Sequence, residues 1–161
     1  MGVSGSGKSL IGALLARALG VEFVEGDAYH SPENVARMSA GVPLTDEDRQ
    51  VWLAAIAARL DEARRAGLGL VVSCSALKRR YRDMLRAGNA DVQFVYLNGA
   101  RGLLEQRLAG RRGHFMPAAL LDSQLAALEP PAADEHALVC DIGDPPEVIV
   151  AGLVARGRRL T

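Results

Sequence analysis

An α/β fold built on a parallel sheet is predicted for this chain by three observations. Short β-prone runs alternate with helical segments along the whole sequence. One of those runs, Leu68 to Cys74, is apolar almost without interruption, and a glycine-rich stretch from Gly2 to Gly7 leads directly into a helix. Alternation of this kind sets helices on the faces of a sheet, and a continuous apolar run suits a strand covered on both faces, as parallel strands are.

Taken in order, the apolar positions Leu10, Ile11, Leu14, Leu15, Ala18 and Leu19 recur at helical spacing after Lys8, and Gly20 is a stop signal. Val21 to Val24 is a short strand that runs into Glu25, Gly26 and Asp27, which puts a carboxylate at its carboxyl tip. Ser31, Pro32 and Glu33 open a helix to Ser39, broken by Gly41 to Pro43. Thr45, with Asp48 in capping-box position, opens a longer one to about Ala66. The apolar strand Leu68 to Cys74 follows, then a helix over Leu77 to Arg86, a strand over Val92 to Leu97, and helical segments over Leu103 to Leu108 and Ala119 to Leu128. Ala137 to Ile142 is the last strand, and Pro145 and Pro146 open a terminal helix over Val148 to Val154.

At 161 residues the chain predicts one domain with its own core, with 49% hydrophobic and 24% charged residues. Nineteen basic residues balance nineteen acidic ones, so no excess of charge points to nucleic acid or an anionic membrane as partner. Cys74 and Cys140 sit in apolar runs without metal-ligand spacing and are expected as buried free thiols. The start is glycine-rich rather than basic then apolar, and no apolar stretch approaches a membrane span, so a cytoplasmic location is expected. Only Lys8 and Lys78 of the nineteen basic residues are lysines. A site that needs a compact ammonium group cannot simply take arginine, which singles out these two positions; arginine-rich usage with two incidental lysines is the competing explanation, above all for Lys78.

Gly2, Val3, Ser4, Gly5, Ser6, Gly7, Lys8 and Ser9 match the phosphate-binding loop pattern in full. Glycines let backbone N–H groups approach phosphate oxygens, and the following helix adds the positive end of its dipole. Lys8 reaches the outer phosphates and Ser9 ligates magnesium. ATP and Mg2+ are therefore the expected cofactors. Such a loop normally hangs from a buried strand of about five to six residues, and only Met1 precedes Gly2. The first central strand is thus expected to be missing from this chain, either because the true start lies upstream of Met1, which is favoured, or because the form is truncated.

Beyond the loop, the chain resembles the gluconokinase family, related to shikimate kinase among the small P-loop kinases. The resemblance runs through Gly26, Asp27, Tyr29, His30, Pro32 and Asn34, through Asp46, Asp48, Arg49 and Trp52, and through Gly113, His114 and Phe115. It is most specific at Cys74, Ser75, Ala76, Leu77, Lys78 followed by Tyr81, Arg82, Asp83. It implies a three-layer P-loop kinase fold in a single domain spanning 1–161, with a substrate-binding helical insertion at about 31–66 and a lid at about 111–130. It also implies ATP-dependent phosphorylation of D-gluconate at its 6-hydroxyl, and a homodimer. Another small kinase of shikimate type, or a catalytically silent nucleotide-binding module, are the alternatives.

By the same resemblance, Asp27 meets the accepting hydroxyl, although a helix cap or a magnesium-shell carboxylate is also open to it. His30 either bonds a polyol hydroxyl or braces its loop. Arg49 clamps the substrate carboxylate or makes an intrahelical salt bridge. Ser75, Lys78 and Arg82 open onto the ligand edge beside Ser73 and Cys74 as candidates for substrate. Arg107 and Arg111, with Arg112, cover the phosphates on lid closure, Arg111 being the catalytic candidate, and His114 in the same turn is a candidate for substrate. His136 and Trp52 are expected to be structural.

Overall fold

Helices form where a local cap and an apolar stripe coincide in the sequence. In the computed structural model, which describes residues 1–110 and 118–157, α1 runs Lys8–Leu19 and ends at Gly20, whose φ of 69° lies in the left-handed region. α2, Pro32–Ser39, starts at Ser31, whose hydroxyl accepts from Asn34 N at 3.2 Å. α3, Asp46–Arg65, carries the expected capping box: Thr45 Oγ1 accepts from Asp48 N at 3.2 Å and Asp48 Oδ2 from Thr45 N at 2.8 Å. The remaining helices are α4 Arg79–Arg86, α5 Arg101–Ala109, α6 Ala118–Ala127 and α7 Pro146–Gly157. Two 3-10 turns, Gly26–Tyr29 and Ala133–Glu135, complete the helical elements among the described residues.

The strands are β1 Glu22–Glu25, β2 Leu70–Ser73, β3 Val95–Asn98 and β4 Leu138–Asp141. β1 pairs in parallel with β2, Glu22 opposite Leu70, and β3 pairs in parallel with β4, Val95 opposite Leu138. α1 packs against α7 and against the β1–β2 pair, whereas α3 packs against α4. One apolar cluster joins Val3, Ile11, Leu97, Leu104, Ile149 and Leu153, and a second joins Trp52, Leu53, Ile56, Cys74, Tyr81 and Phe94.

The two strand pairs do not meet as one sheet. Met1 lies between them: its backbone N donates to Val95 O, Leu97 N donates to Met1 O at 3.0 Å, and Gly2 N donates to Ser75 O at 3.1 Å. A cavity of about 420 Å³ adjoins both pairs, lined by Val72, Cys74, Phe94, Val95 and Leu97 among others.

Two departures from expectation lie beside this cavity. β2 is shorter than Leu68 to Cys74, and Leu70, Val71 and Val72 are half-buried rather than covered on both faces, because one flank borders the cavity. Leu68 lies outside the strand and is exposed. α4 begins at Arg79 rather than Leu77 for a different reason. Ala76 sits at φ 42°, which L-residues seldom adopt, and Lys78 is extended. Cys74 is a buried free thiol, pushed up to about 11 by burial, while Cys140 is only half-buried, next to exposed Val139 on β4.

Gly26 joins β1 to the turn that presents Asp27. A Cβ there would lie 2.1 Å from Ser73 O, a backbone atom of β2 that cannot swing away. Gly26→Ala is expected to cost about 1–3 kcal/mol in urea denaturation, the usual range for overpacking. An unchanged midpoint would show that this approach is not tight.

Candidate active site

The loop Gly2 to Gly7 bends through positive φ at Gly2, Gly5 and Gly7, the last being the N-cap of α1. At Gly5 a side chain would also press on Leu104 O and Leu108 at 3.1 Å, so glycine is needed there for conformation and for space. Among the described residues no side chain caps the first turn of α1, which leaves a helix N-terminus suited to an anion. Ser6 Oγ is buried without a hydrogen-bond partner among the described residues. Lys8 Nζ donates to Val3 O at 3.0 Å, arching over the loop, and Ser4 N donates to Gln124 Oε1 of α6 at 2.7 Å. These features fit a nucleotide phosphate chain, with exposed Ser9 beside it for magnesium.

A cavity of about 330 Å³ opens beside this loop and brings together Ser4, Lys8, Asp27, His30, Arg49, Ser75, Lys78, Tyr81 and Gln124. Asp27 is exposed within the 3-10 turn at the end of β1. Lys78 Nζ donates to both carboxylate oxygens of Asp46, at 2.9 and 3.1 Å, and the same carboxylate accepts from the Tyr81 hydroxyl and pairs with Arg80. The Arg49 guanidinium lies 5.9 Å from the centre of the Tyr81 ring. The intrahelical salt bridge that was its alternative role is not among the ion pairs of the described residues; Asp48 pairs with Arg37 at 2.7 Å.

His30 stacks on Trp52, ring centres 4.3 Å apart and planes 14° apart. Trp52 Nε1 donates to Gly26 O at 2.8 Å, so Trp52 is structural in the specific sense that it holds the turn bearing Asp27 and the ring bearing His30. His30 Nδ1 is buried without a hydrogen-bond partner among the described residues. Burial pushes the imidazole below its ordinary value, against the opposing pull of Asp27.

Arg82 is placed differently from the expectation that it reaches substrate. It is fully buried. Its Nε and Nη2 donate to Glu135 at 2.5 and 2.8 Å, and its Nη1 donates to Ala76 O and Leu77 O at 3.1 and 3.2 Å. The guanidinium holds the Glu135 carboxyl down to about 2. Arg107 Nη2 donates to Ile142 O at 2.7 Å, on the side of the loop that carries Gly7. Arg111 and His114, with Arg112, lie outside the described residues, as does part of the expected lid. Asp46, Tyr81, Gln124 and Glu135 had no assigned role in the sequence. Tyr81 stood in the most specific motif, but its hydroxyl partner lies 35 positions away.

The family described as an AAA domain matches residues 1–131. A gluconokinase from Gluconobacter oxydans (strain 621H) is 49% identical over 154 residues, which cover 96% of this chain and 86% of that protein. The chain belongs to the gluconokinase family. A crystal structure of a gluconokinase from Sinorhizobium meliloti 1021 superimposes with a TM-score of 0.88 at 48% identity, covering 99% of this chain and 92% of that one. A sugar kinase from Janibacter sp. HTCC2649 gives 0.91 at 49% identity, over 96% and 90%. The fold is accordingly the small α/β P-loop kinase fold, its short parallel strands flanked by helices, as the resemblance implied.

Trp52 is the sole tryptophan, so its fluorescence reports on the stacked imidazole. Because burial disfavours the charged form, the quenching that follows protonation of His30 is expected to have its midpoint below the ordinary histidine value of about 6.5, and His30→Asn is expected to abolish it. A midpoint above that value in the wild-type protein would mean that Asp27 outweighs burial.

Proposed function

We propose that this chain transfers the terminal phosphoryl group of ATP to the 6-hydroxyl of D-gluconate, giving 6-phospho-D-gluconate and ADP. The observation that carries this reading is that Lys8 of the phosphate loop lines the same cavity as Asp27, Arg49, Ser75 and Lys78, the residues that the resemblance assigns to the acceptor. The gluconokinase relatives, matched over nearly the whole chain, support the choice of acceptor.

Bound with magnesium, ATP supplies the transferable phosphoryl group. The chain's own residues position and neutralise, which is most of what phosphoryl transfer asks of a protein. The loop amides and the N-terminus of α1 hold the phosphates, Lys8 offsets their charge, and the Ser9 hydroxyl takes the metal. Asp27 orients the accepting hydroxyl and takes up its proton. Arg49 and Lys78 bind the carboxylate of the sugar acid. For Lys78 this means exchanging Asp46, its partner in this structure, for the substrate. His30, neutral at physiological pH, offers a ring nitrogen to a polyol hydroxyl. The resemblance assigns Arg107 and Arg111 to the phosphates and His114 to the acceptor. A homodimer is part of the same reading and rests on the resemblance, and a cytoplasmic location rests on the sequence pattern; among the described residues no helix is long and apolar enough to cross a membrane.

The test is ADP release with magnesium-ATP and D-gluconate, shikimate or no acceptor. Turnover is expected with gluconate alone. Asp27→Asn is expected to lower kcat by about 10²–10⁴-fold, the usual worth of a positioned acid–base group, and Lys78→Met to raise the KM for gluconate with little change in that for ATP. Equal turnover of shikimate and gluconate, or full activity in Asp27→Asn, would contradict the assignment.

A further inference from the structure

A cavity, a buried ion pair and strained backbone converge on one place outside the reacting groups, the loop Ser75 to Leu77 at the end of β2. Ala76 in this loop is completely buried and held at φ 42°, a conformation that persists only where surrounding bonds over-determine it. Those bonds are on the page. Arg82 Nη1 donates to Ala76 O and Leu77 O, and the other edge of the same guanidinium is fixed on Glu135. Glu135 is itself held: its Oε1 accepts from Ala132 N at 3.0 Å and its carbonyl accepts from Arg86. The loop passes this rigidity on in two directions. Ser75 O accepts from Gly2 N, the first residue of the phosphate loop, and Leu77 O accepts from Glu129 N at 2.8 Å. Between these two anchors, the side chains of Ser75, Leu77 and Lys78 line the cavity that takes the acceptor.

We infer that Arg82 and Glu135 form a positioning pair for phosphoryl transfer, a buried clamp that sets the Ser75–Leu77 loop and thereby fixes the acceptor side of the cavity relative to the phosphate loop. The inference rests on the reading that this cavity holds gluconate, but the clamp itself does not depend on which acceptor binds. The planar fork of arginine is what the geometry uses, two edges serving a carboxylate and two carbonyls at once. Lysine keeps the charge and cannot satisfy both. A buried ion pair of this kind contributes little net stability compared with an apolar filling, so its place here is explained by the orientation it imposes.

The experiment compares Arg82→Lys and Glu135→Gln with Leu153→Ala, a core substitution in α7 that lowers stability and removes none of the hydrogen bonds that hold the loop. All are assayed at a temperature where each is folded by thermal denaturation. Arg82→Lys is expected to lose about 10- to 100-fold in kcat/KM for gluconate, the cost of a small misplacement. The KM for gluconate should rise and that for ATP move little, while Leu153→Ala keeps wild-type constants. A second measurement is independent of turnover. Amide hydrogen exchange at Gly2 and Glu129, whose N–H groups bond the loop, is expected to speed at least about tenfold in Arg82→Lys and not in Leu153→Ala. Wild-type constants and wild-type exchange in Arg82→Lys would overturn the inference, as would equal effects in Leu153→Ala. A wild-type protein that ignores gluconate while Arg82→Lys still loosens those two amides would sink the acceptor assignment and leave the clamp standing.

Discussion

The hydrogen bond from Gly2 N to Ser75 O, 3.1 Å long, is the joint on which the rest of this molecule turns. Phosphoryl transfer leaves a protein little covalent work and much placement, and placement here means holding a phosphate loop and an acceptor pocket in one frame. The loop begins at Gly2 and the pocket wall begins at Ser75, so this bond ties the two directly. Around it the structure adds support on each side. Met1 bridges toward β3 through Val95 and Leu97, and Gln124 of α6 holds Ser4 from above.

Charge in the pocket is arranged by the same economy. The two lysines of the chain both reach the cavity, where Arg49 joins them. Lys78 and Arg49 both lie near the Tyr81 ring, and Asp27, at the end of β1, lines the same cavity. In the proposed reading an anionic sugar acid meets these two cations with its carboxylate and Asp27 with its distal hydroxyl. Asp46 occupies Lys78 and Tyr81 in this structure, which keeps the ammonium group oriented and partnered rather than bare in a half-buried site. The stack of His30 on Trp52 completes the rim with a ring kept neutral by burial.

Much of this was legible in the sequence because its causes are local. Thr45 with Asp48, Ser31 with Pro32, and Gly20 mark helix ends through bonds within a few residues, and the observed ends agree. The glycine loop was legible for the same reason, since its conformation and its chemistry lie in eight consecutive residues. What was not legible depends on partners far along the chain. Arg82 stands among exposed charged residues in a helical pattern, and nothing nearby shows that Glu135, fifty-three positions on, will draw it inside. Ala76 carries no mark of its left-handed backbone, because alanine has no preference for it.

The most direct test of the account is a crystal structure with D-gluconate, magnesium and a non-hydrolysable ATP analogue. The account predicts the triphosphate along Gly2 to Ser9 and gluconate in the 330 Å³ cavity, its carboxylate on Arg49 and Lys78 and its 6-hydroxyl between Asp27 and the terminal phosphate. Gluconate bound elsewhere, or reversed with its carboxylate beside Asp27, would contradict it.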